Sequence, residues 1–134
     1  MIAVDTNIIC YRWIPSPHAG AVEKVLAKDP DWIAPFLWRS EFRNVLAGAL
    51  RQRLITLDLA NQIASKAEWH LANREFAVSS HAVLNLVATS ACSAYDCEFI
   101  ALAEEQRVPL ITLDRQILRD FPRIAISLAK FVAQ

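Results

Sequence analysis

The sequence predicts an α/β fold in which a mostly parallel sheet is flanked by helices. Three observations favour it: short apolar segments alternate with helical segments, the apolar segments end at acidic or turn-forming residues, and 54% of the 134 residues are hydrophobic while only two are glycine. Strands that alternate with helices need crossover connections, which make the strands parallel. A single domain over residues 1–134 is expected, because a chain of this length buries a sizeable core without a metal or disulfide staple.

The first 35 residues predict two strands and two helices. MIAVD at the start is a short apolar run that predicts a buried strand, and TNIICYRWI follows it with helical spacing. A second helix is expected from Ala19 to Lys28. DWIAP then predicts a second short strand.

Two longer helices are expected next. Pro35 is placed in the first turn of a helix that runs through PFLWRSEFRNVLAGALRQR, since proline is well tolerated at a helix start. Thr56 and Asp58 form a helix-start signal, and the following helix is expected to continue to about Ala72.

The second half repeats the alternation. REFAVS predicts a third strand, and SHAVLNLVATSA predicts a helix that stops before Ser93. Ser93 is a predicted N-cap for a helix that extends to Gln106. VPLITLD predicts a fourth strand, a short helix follows it, and RIAISL is a candidate last strand.

Charge and cysteine content restrict the class of protein. Fourteen basic and fourteen acidic residues cancel, so any contact with nucleic acid must come from a local site rather than a basic surface. Cys10, Cys92 and Cys97 form no C-x-x-C pair and suit free core thiols in a reducing compartment. MIAVDTN has no signal-peptide features, and no apolar run is long enough to span a membrane. We therefore expect a cytoplasmic protein.

Two aspartates follow predicted strands at equivalent points. Asp5 ends MIAVD and Asp114 ends VPLITLD. The carboxyl ends of parallel strands meet at one edge of a sheet, which is where open α/β folds place their ligands. Alternatively, each aspartate only caps the helix that follows it.

Two further acids lie where helical periodicity predicts apolar side chains. Asp96 shares a helix face with Phe99 and Ile100, although Ser93 and Asp96 also resemble a capping box. Glu41 lies beside an apolar stripe and has no Lys or Arg three or four residues away, although its side chain can also extend into water.

Four carboxylates that converge must take up protons or bind cations. Two of them about 4 Å apart repel by about 4 kcal/mol at an effective dielectric constant of about 20. Oxygen ligands without a thiolate or histidine set suit Mg²⁺ or Mn²⁺ rather than Zn²⁺. The histidines have no zinc-site spacing and are expected on the surface or on helix faces; they are His18, His70 and His81.

Four segments resemble a known family. VDTN, SEFRNVL, SAYDCEFIALAEE and PLITLD are similar, in order and spacing, to the signatures of PIN-domain ribonucleases, in particular the VapC-type toxins of bacterial toxin–antitoxin modules. The resemblance implies a single-domain PIN-like fold with a five-stranded parallel sheet. Cys97 departs from the alanine that often follows the third acid of that family, which affects local packing more than chemistry.

The resemblance also implies a site and partners. The metal-binding and catalytic residues would be Asp5, Glu41, Asp96 and Asp114, with Asn7 and Thr112 as polar supports. They would hold one or two Mg²⁺ or Mn²⁺ ions and hydrolyse RNA phosphodiester bonds. The family further implies a toxin that pairs with a small antitoxin protein and forms a homodimer.

Several alternatives stay open. The protein could be a non-catalytic PIN-like binding or regulatory module, or a Mg²⁺-dependent aspartyl-phosphate protein, although the latter pattern wants an acid where Asn7 stands. Three arginines either guide an RNA backbone or only form a solvated helix face; they are Arg39, Arg43 and Arg51. The four tryptophans either form a partner surface or pack in the core; they are Trp13, Trp32, Trp38 and Trp69.

Overall fold

The computed structural model describes all residues, 1–134, as five strands and eight helices. The strands are β1 (Ile2–Val4), β2 (Trp32–Pro35), β3 (Glu75–Phe76), β4 (Leu110–Thr112) and β5 (Ala125–Ser127). The helices are α1 (Thr6–Trp13), α2 (Ala19–Lys28), α3 (Trp38–Arg51), α4 (Leu57–His70), α5 (Ser80–Ala88), α6 (Ala94–Gln106), α7 (Arg115–Asp120) and α8 (Leu128–Ala133).

The strands form one parallel sheet in the order β3-β2-β1-β4-β5. The predicted α/β class and parallel five-stranded sheet are therefore confirmed. From β1 the chain first builds outward through β2 and β3, then returns to the other side of β1 to add β4 and β5. The strand order thus reverses between β1 and β4, and a crevice opens there at the carboxyl ends of the strands.

Apolar burial on both sides of the sheet explains why the short strands are so hydrophobic. Every residue of β1, β2 and β4 is buried. The middle of α6 is buried on most sides, and Cys97, Phe99 and Ile100 are each at most 1% exposed. Trp32 and Trp38 are also buried in this core, as the packing alternative predicts, whereas Trp69 is 82% exposed.

Both predicted boundaries of helix α3 are wrong. Pro35 does not lie in a helix but is the last residue of β2, and α3 begins at Trp38. The reason is the pairing with β3, which continues beyond Pro35 because the N–H of Phe36 donates to the carbonyl of Phe76 at 3.2 Å. At its other end α3 stops at Arg51, and Arg53 follows in the left-handed region with φ of 58°.

Other helices also differ from prediction at their ends. α4 stops at His70, before a left-handed residue at Asn73, and α5 stops at Ala88. The helix α8 was not predicted, because the pattern of RIAISL indicates only a strand. Its N-cap is Ser127, whose hydroxyl accepts from the N–H of Lys130 at 3.2 Å.

The three cysteines are free and buried, as predicted for core thiols. Burial raises the pKa of Cys10 and of Cys92 to about 12, so both are uncharged thiols at neutral pH. None of the helices is both long and apolar enough to cross a membrane.

Candidate functional site

The fold brings the four predicted acids to one cavity at the carboxyl edge of the sheet. Asp5 follows β1, Asp114 follows β4, Glu41 lies in the first turn of α3 and Asp96 in the first turn of α6. All four line a cavity of about 440 Å³. Two strand ends and two helix starts therefore point their carboxylates into the crevice that the strand order creates.

Asp5 is the most buried and most firmly held of the acids, with 8% exposure. Its Oδ1 accepts a hydrogen bond of 2.7 Å from the N–H of Thr6, which makes Asp5 the N-cap of α1. Its Oδ2 accepts from the hydroxyl of Thr112 at 2.6 Å and from the side-chain amide of Asn7 at 3.4 Å. The two predicted polar supports thus both contact this carboxylate.

Burial raises the pKa of Asp5 from 3.8 to about 6, because desolvation disfavours the charged form. The negative charges of Glu41 and Asp96 raise this pKa further, whereas the hydrogen bonds from Thr112 and Thr6 lower it. Near neutral pH the site therefore keeps a negative charge that the surrounding protein disfavours.

Glu41 is linked to the same short segment through Thr6. The hydroxyl of Thr6 donates to Oε1 of Glu41 at 2.7 Å, while the backbone N–H of Thr6 donates to Asp5. Burial and the charge of Asp96 raise the pKa of Glu41, and the hydrogen bond from Thr6 opposes them. Thr6, itself buried, therefore holds two of the four carboxylates in position.

Asp96 lies in the first turn of α6, where its N–H donates to the Ser93 hydroxyl at 3.1 Å. Burial raises the pKa of Asp96, and so does the negative charge of Asp114. The predicted N-cap at Ser93 is confirmed, and this capping occurs together with an inward-facing acid.

Asp114 combines both interpretations that the sequence left open. Its Oδ1 accepts from the N–H groups of Gln116 and Ile117 at 2.8 and 3.0 Å, so it caps α7. Its own N–H donates to the Thr112 hydroxyl at 3.0 Å. Because the same hydroxyl also donates to Asp5, the fully buried Thr112 connects Asp114 to Asp5.

No lysine, arginine or histidine forms an ion pair with any of the four acids. Arg39 contacts Glu68 and Glu75 instead, and Arg43 contacts Glu68. These ion pairs match the solvated-face interpretation of the arginines rather than a role at the site. Neighbouring acids therefore raise the pKa of Asp5, Glu41 and Asp96 without a protein cation to offset the repulsion.

The donor set fits a hard divalent cation in its chemistry. The acids offer carboxylate oxygens, and the Cys10 thiol that lines the same cavity stays protonated. No three acidic, cysteine or histidine side chains are, however, close enough together to hold an ion as they stand. Binding an ion therefore requires side-chain rotation.

Sequence reasoning missed some of the residues around the acids. Thr6, Cys10, Tyr11 and Asn44 also line the cavity. Asn44 was detectable, because it follows Glu41 by three positions and so shares its helix face. Thr6 was not, because its bond to Glu41 joins residues 35 positions apart.

The family model of the PIN domain matches residues 2–125 of this chain. A comparison with curated protein sequences gives no significant match.

Solved structures with this fold come from several organisms. FitAcB from Neisseria gonorrhoeae superposes with a TM-score of 0.76 at 17% identity, over 96% of this chain and 99% of that one. PAE2754 from Pyrobaculum aerophilum gives 0.71 at 21% identity, over 99% and 97%. A toxin-antitoxin complex from Klebsiella pneumoniae gives 0.68 at 16% identity, over 96% and 98%. At these identities the similarity concerns the fold.

Proposed function

Because the chain belongs to the PIN domain family, whose members are generally nucleases, we propose that it is a metal-dependent endoribonuclease. Its reaction is the hydrolysis of RNA phosphodiester bonds. The observation that carries the proposal is the meeting of four carboxylates in one cavity without a protein cation. Such an arrangement is costly for folding, and a function that needs a cation accounts for it.

The residues that would hold one or two Mg²⁺ or Mn²⁺ ions are Asp5, Glu41, Asp96 and Asp114. When bound, such an ion supplies Lewis-acid activation of water and stabilises negative charge on the phosphate. Without the ion, the four carboxylates repel a phosphodiester. Because the protein has no net charge to attract RNA, the bound metal would supply the positive charge that the phosphate requires.

The chain's own residues orient the donors. Thr112 and Thr6 bind opposite oxygens of Asp5 at 2.6 and 2.7 Å, so this carboxylate has little rotational freedom. Thr6 likewise orients Glu41. Asp96 and Asp114 lie at helix starts and complete the cavity from its other side. Such hydrogen bonds orient a metal ligand, and the other acids turn toward the ion when it binds.

A toxin role with a small antitoxin as partner is part of the proposal. Its supports are the sequence resemblance and the fold similarity to a toxin-antitoxin complex from Klebsiella pneumoniae. Side chains at both ends of α4 offer apolar area to a protein partner, with Leu54 and Leu57 at 70% and 63% exposure and Trp69 at 82%. We also propose a homodimer, and a cytoplasmic location that suits three free thiols.

Two other functions are less well supported. A binding module without catalysis has no need for four mutually repelling acids, and substitutions that removed them would stabilise it. An aspartyl-phosphate protein needs an accessible carboxylate, whereas Asp5 is 8% exposed and bonded at both oxygens.

Cleavage of RNA by the purified chain tests the proposal. Activity is expected with Mg²⁺ or Mn²⁺ and is expected to stop when a chelator is added. Asp96→Asn should lower the rate by about a thousandfold. Glu105→Gln is the matched control, since Glu105 is an exposed acid on the same helix. RNA that stays intact in every metal condition would refute the nuclease, and cleavage by folded Asp96→Asn at the rate of the unaltered chain would refute the site.

A further inference from the structure

We propose that a second cavity beside the acidic one binds an unpaired guanine base of the RNA substrate. This cavity, of about 320 Å³, lies between α5 and α6 and is lined by Ser80, Leu84, Tyr95 and Glu98 among others. Its size is at the lower end of the range for small-molecule sites. The inference deepens the proposed function and rests on it.

The walls of this guanine cavity suit a flat aromatic ligand. Tyr95 is 63% exposed and Leu84 is 61% exposed, although both are large apolar side chains. An exposed ring next to an exposed aliphatic side chain forms a stacking surface of the kind that proteins use for single-stranded RNA. Val78 and Val83 extend the apolar lining below them.

The polar lining selects a base over a phosphate. Glu98 is half-buried in this cavity, and it takes part in no ion pair or side-chain hydrogen bond. A carboxylate repels the RNA backbone but accepts from N–H groups. Guanine presents two such donors side by side, N1–H and the N2 amino group, which match the two oxygens of a carboxylate. Ser80 adds a hydroxyl group.

Neighbouring residues at the start of α6 line the two cavities. Tyr95 directly precedes Asp96, and Glu98 lies one turn from Tyr95 on the same helix. Because Tyr95 and Asp96 are consecutive, an RNA whose base stacks on Tyr95 brings a neighbouring phosphate within reach of the acids. This position would make guanine a determinant of the cleavage site.

Binding of neutral nucleosides, followed by NMR in the absence of metal, tests the guanine cavity separately from catalysis. Guanosine is expected to bind about tenfold more tightly than uridine and to shift the Tyr95 and Glu98 signals, since one stacked and hydrogen-bonded base contributes on this scale. Tyr95→Ala should remove this binding and Tyr95→Phe should keep it. Glu98→Gln should abolish the preference, and Trp69→Ala is the control on an exposed aromatic elsewhere.

Mapping of cut ends separates this inference from the nuclease proposal. The unaltered chain should cut next to guanine, and Glu98→Gln should cut without that preference. Cleavage with no guanine preference, or equal binding of all nucleosides, would overturn the guanine cavity and leave the nuclease intact. Guanosine binding without any cleavage would overturn the nuclease alone. A dimer that dissociates in Tyr95→Ala would show that a second copy covers the cavity, which also overturns the inference.

Discussion

Helix α3 contributes to two charged regions, of which one contains an ion pair and the other contains acids without a cation. On one side, Arg39 binds both oxygens of Glu75 at 2.6 and 2.7 Å, and the indole N–H of Trp38 donates to the same carboxylate at 2.8 Å. On the other side, Glu41 faces Asp5 and has only the Thr6 hydroxyl as a donor. Arg39 and Glu41 are two positions apart, so they point in different directions.

The pKa values of the two regions show what each does for the folded state. The hydrogen bonds from Arg39 lower the pKa of Glu75, so its charge stabilises the fold. Burial raises the pKa of Asp5 to about 6 and raises that of Glu41 as well, so their charges destabilise it. Glu75, whose charge stabilises the fold, forms an ion pair with Arg39. The acids of the cavity have no such partner, and we expect a cation from solution to bind them.

The largest effect expected from this contrast is on catalysis. Asp5→Asn or Asp96→Asn should lower the rate of RNA cleavage by about a thousandfold, because each removes several kcal/mol of charge stabilisation in the transition state. Rates are measured with Mn²⁺ in excess, and circular dichroism checks the fold. Glu75→Gln, which alters the ion-paired region, should cleave at the rate of the unaltered chain.

A smaller effect is expected at the residue that orients Asp5. Thr112→Val should weaken metal-dependent activity by about 10- to 100-fold, the usual result of removing a partner that orients a metal ligand. Thr112→Ser keeps the hydroxyl and should restore most of the activity. Equal rates for the valine and serine variants would mean that this hydrogen bond does not orient the site.

Stability should respond to pH with opposite signs in the two regions. Because Asp5 has a raised pKa, its favourable contribution is present below about pH 4 and is lost as pH rises through about 6 in the metal-free protein. The stability of the unaltered chain relative to Asp5→Asn should therefore fall by about 2 kcal/mol between pH 4 and pH 7. Urea denaturation of both proteins at the two pH values measures this, and the comparison removes the constant cost of the hydrogen bond that asparagine loses. A stability difference that is the same at both pH values would show that the Asp5 charge is not destabilising.

The smallest effect is expected in the ion-paired region. Glu75 has a lowered pKa, so its contribution is present at neutral pH and is lost as pH falls through the folded value. Glu75→Gln should destabilise the protein by about 1 kcal/mol at pH 7, a modest loss because Arg39 is partly exposed to solvent. The same denaturation experiment measures it, and a gain in stability would contradict the contrast.

The sequence predicted the parts of this molecule that periodicity and strand ends encode. Asp5 and Asp114 were detectable because both follow buried strands, and parallel strands end at one edge of the sheet. Asp96 was detectable because an acid interrupted an apolar helix face. These signals are local in the sequence, so they are detectable without knowledge of the fold.

The remaining features depend on contacts that are distant in sequence. Pro35 ends a strand because β3 pairs beyond it, and β3 lies about 40 residues further along. Thr6 bonds Glu41 across a comparable separation, and no periodicity marks such a pair. The guanine cavity likewise forms only where α5 packs on α6.

Calorimetric titration of Mn²⁺ into the purified chain tests the central claim most directly, namely that the acids without a protein cation form a divalent-metal site. Saturable binding at one or two sites is expected, with strong loss in Asp5→Asn and no change in Glu75→Gln. If no saturable binding occurs, or if Asp5→Asn binds Mn²⁺ as well as the unaltered chain does, the account is contradicted.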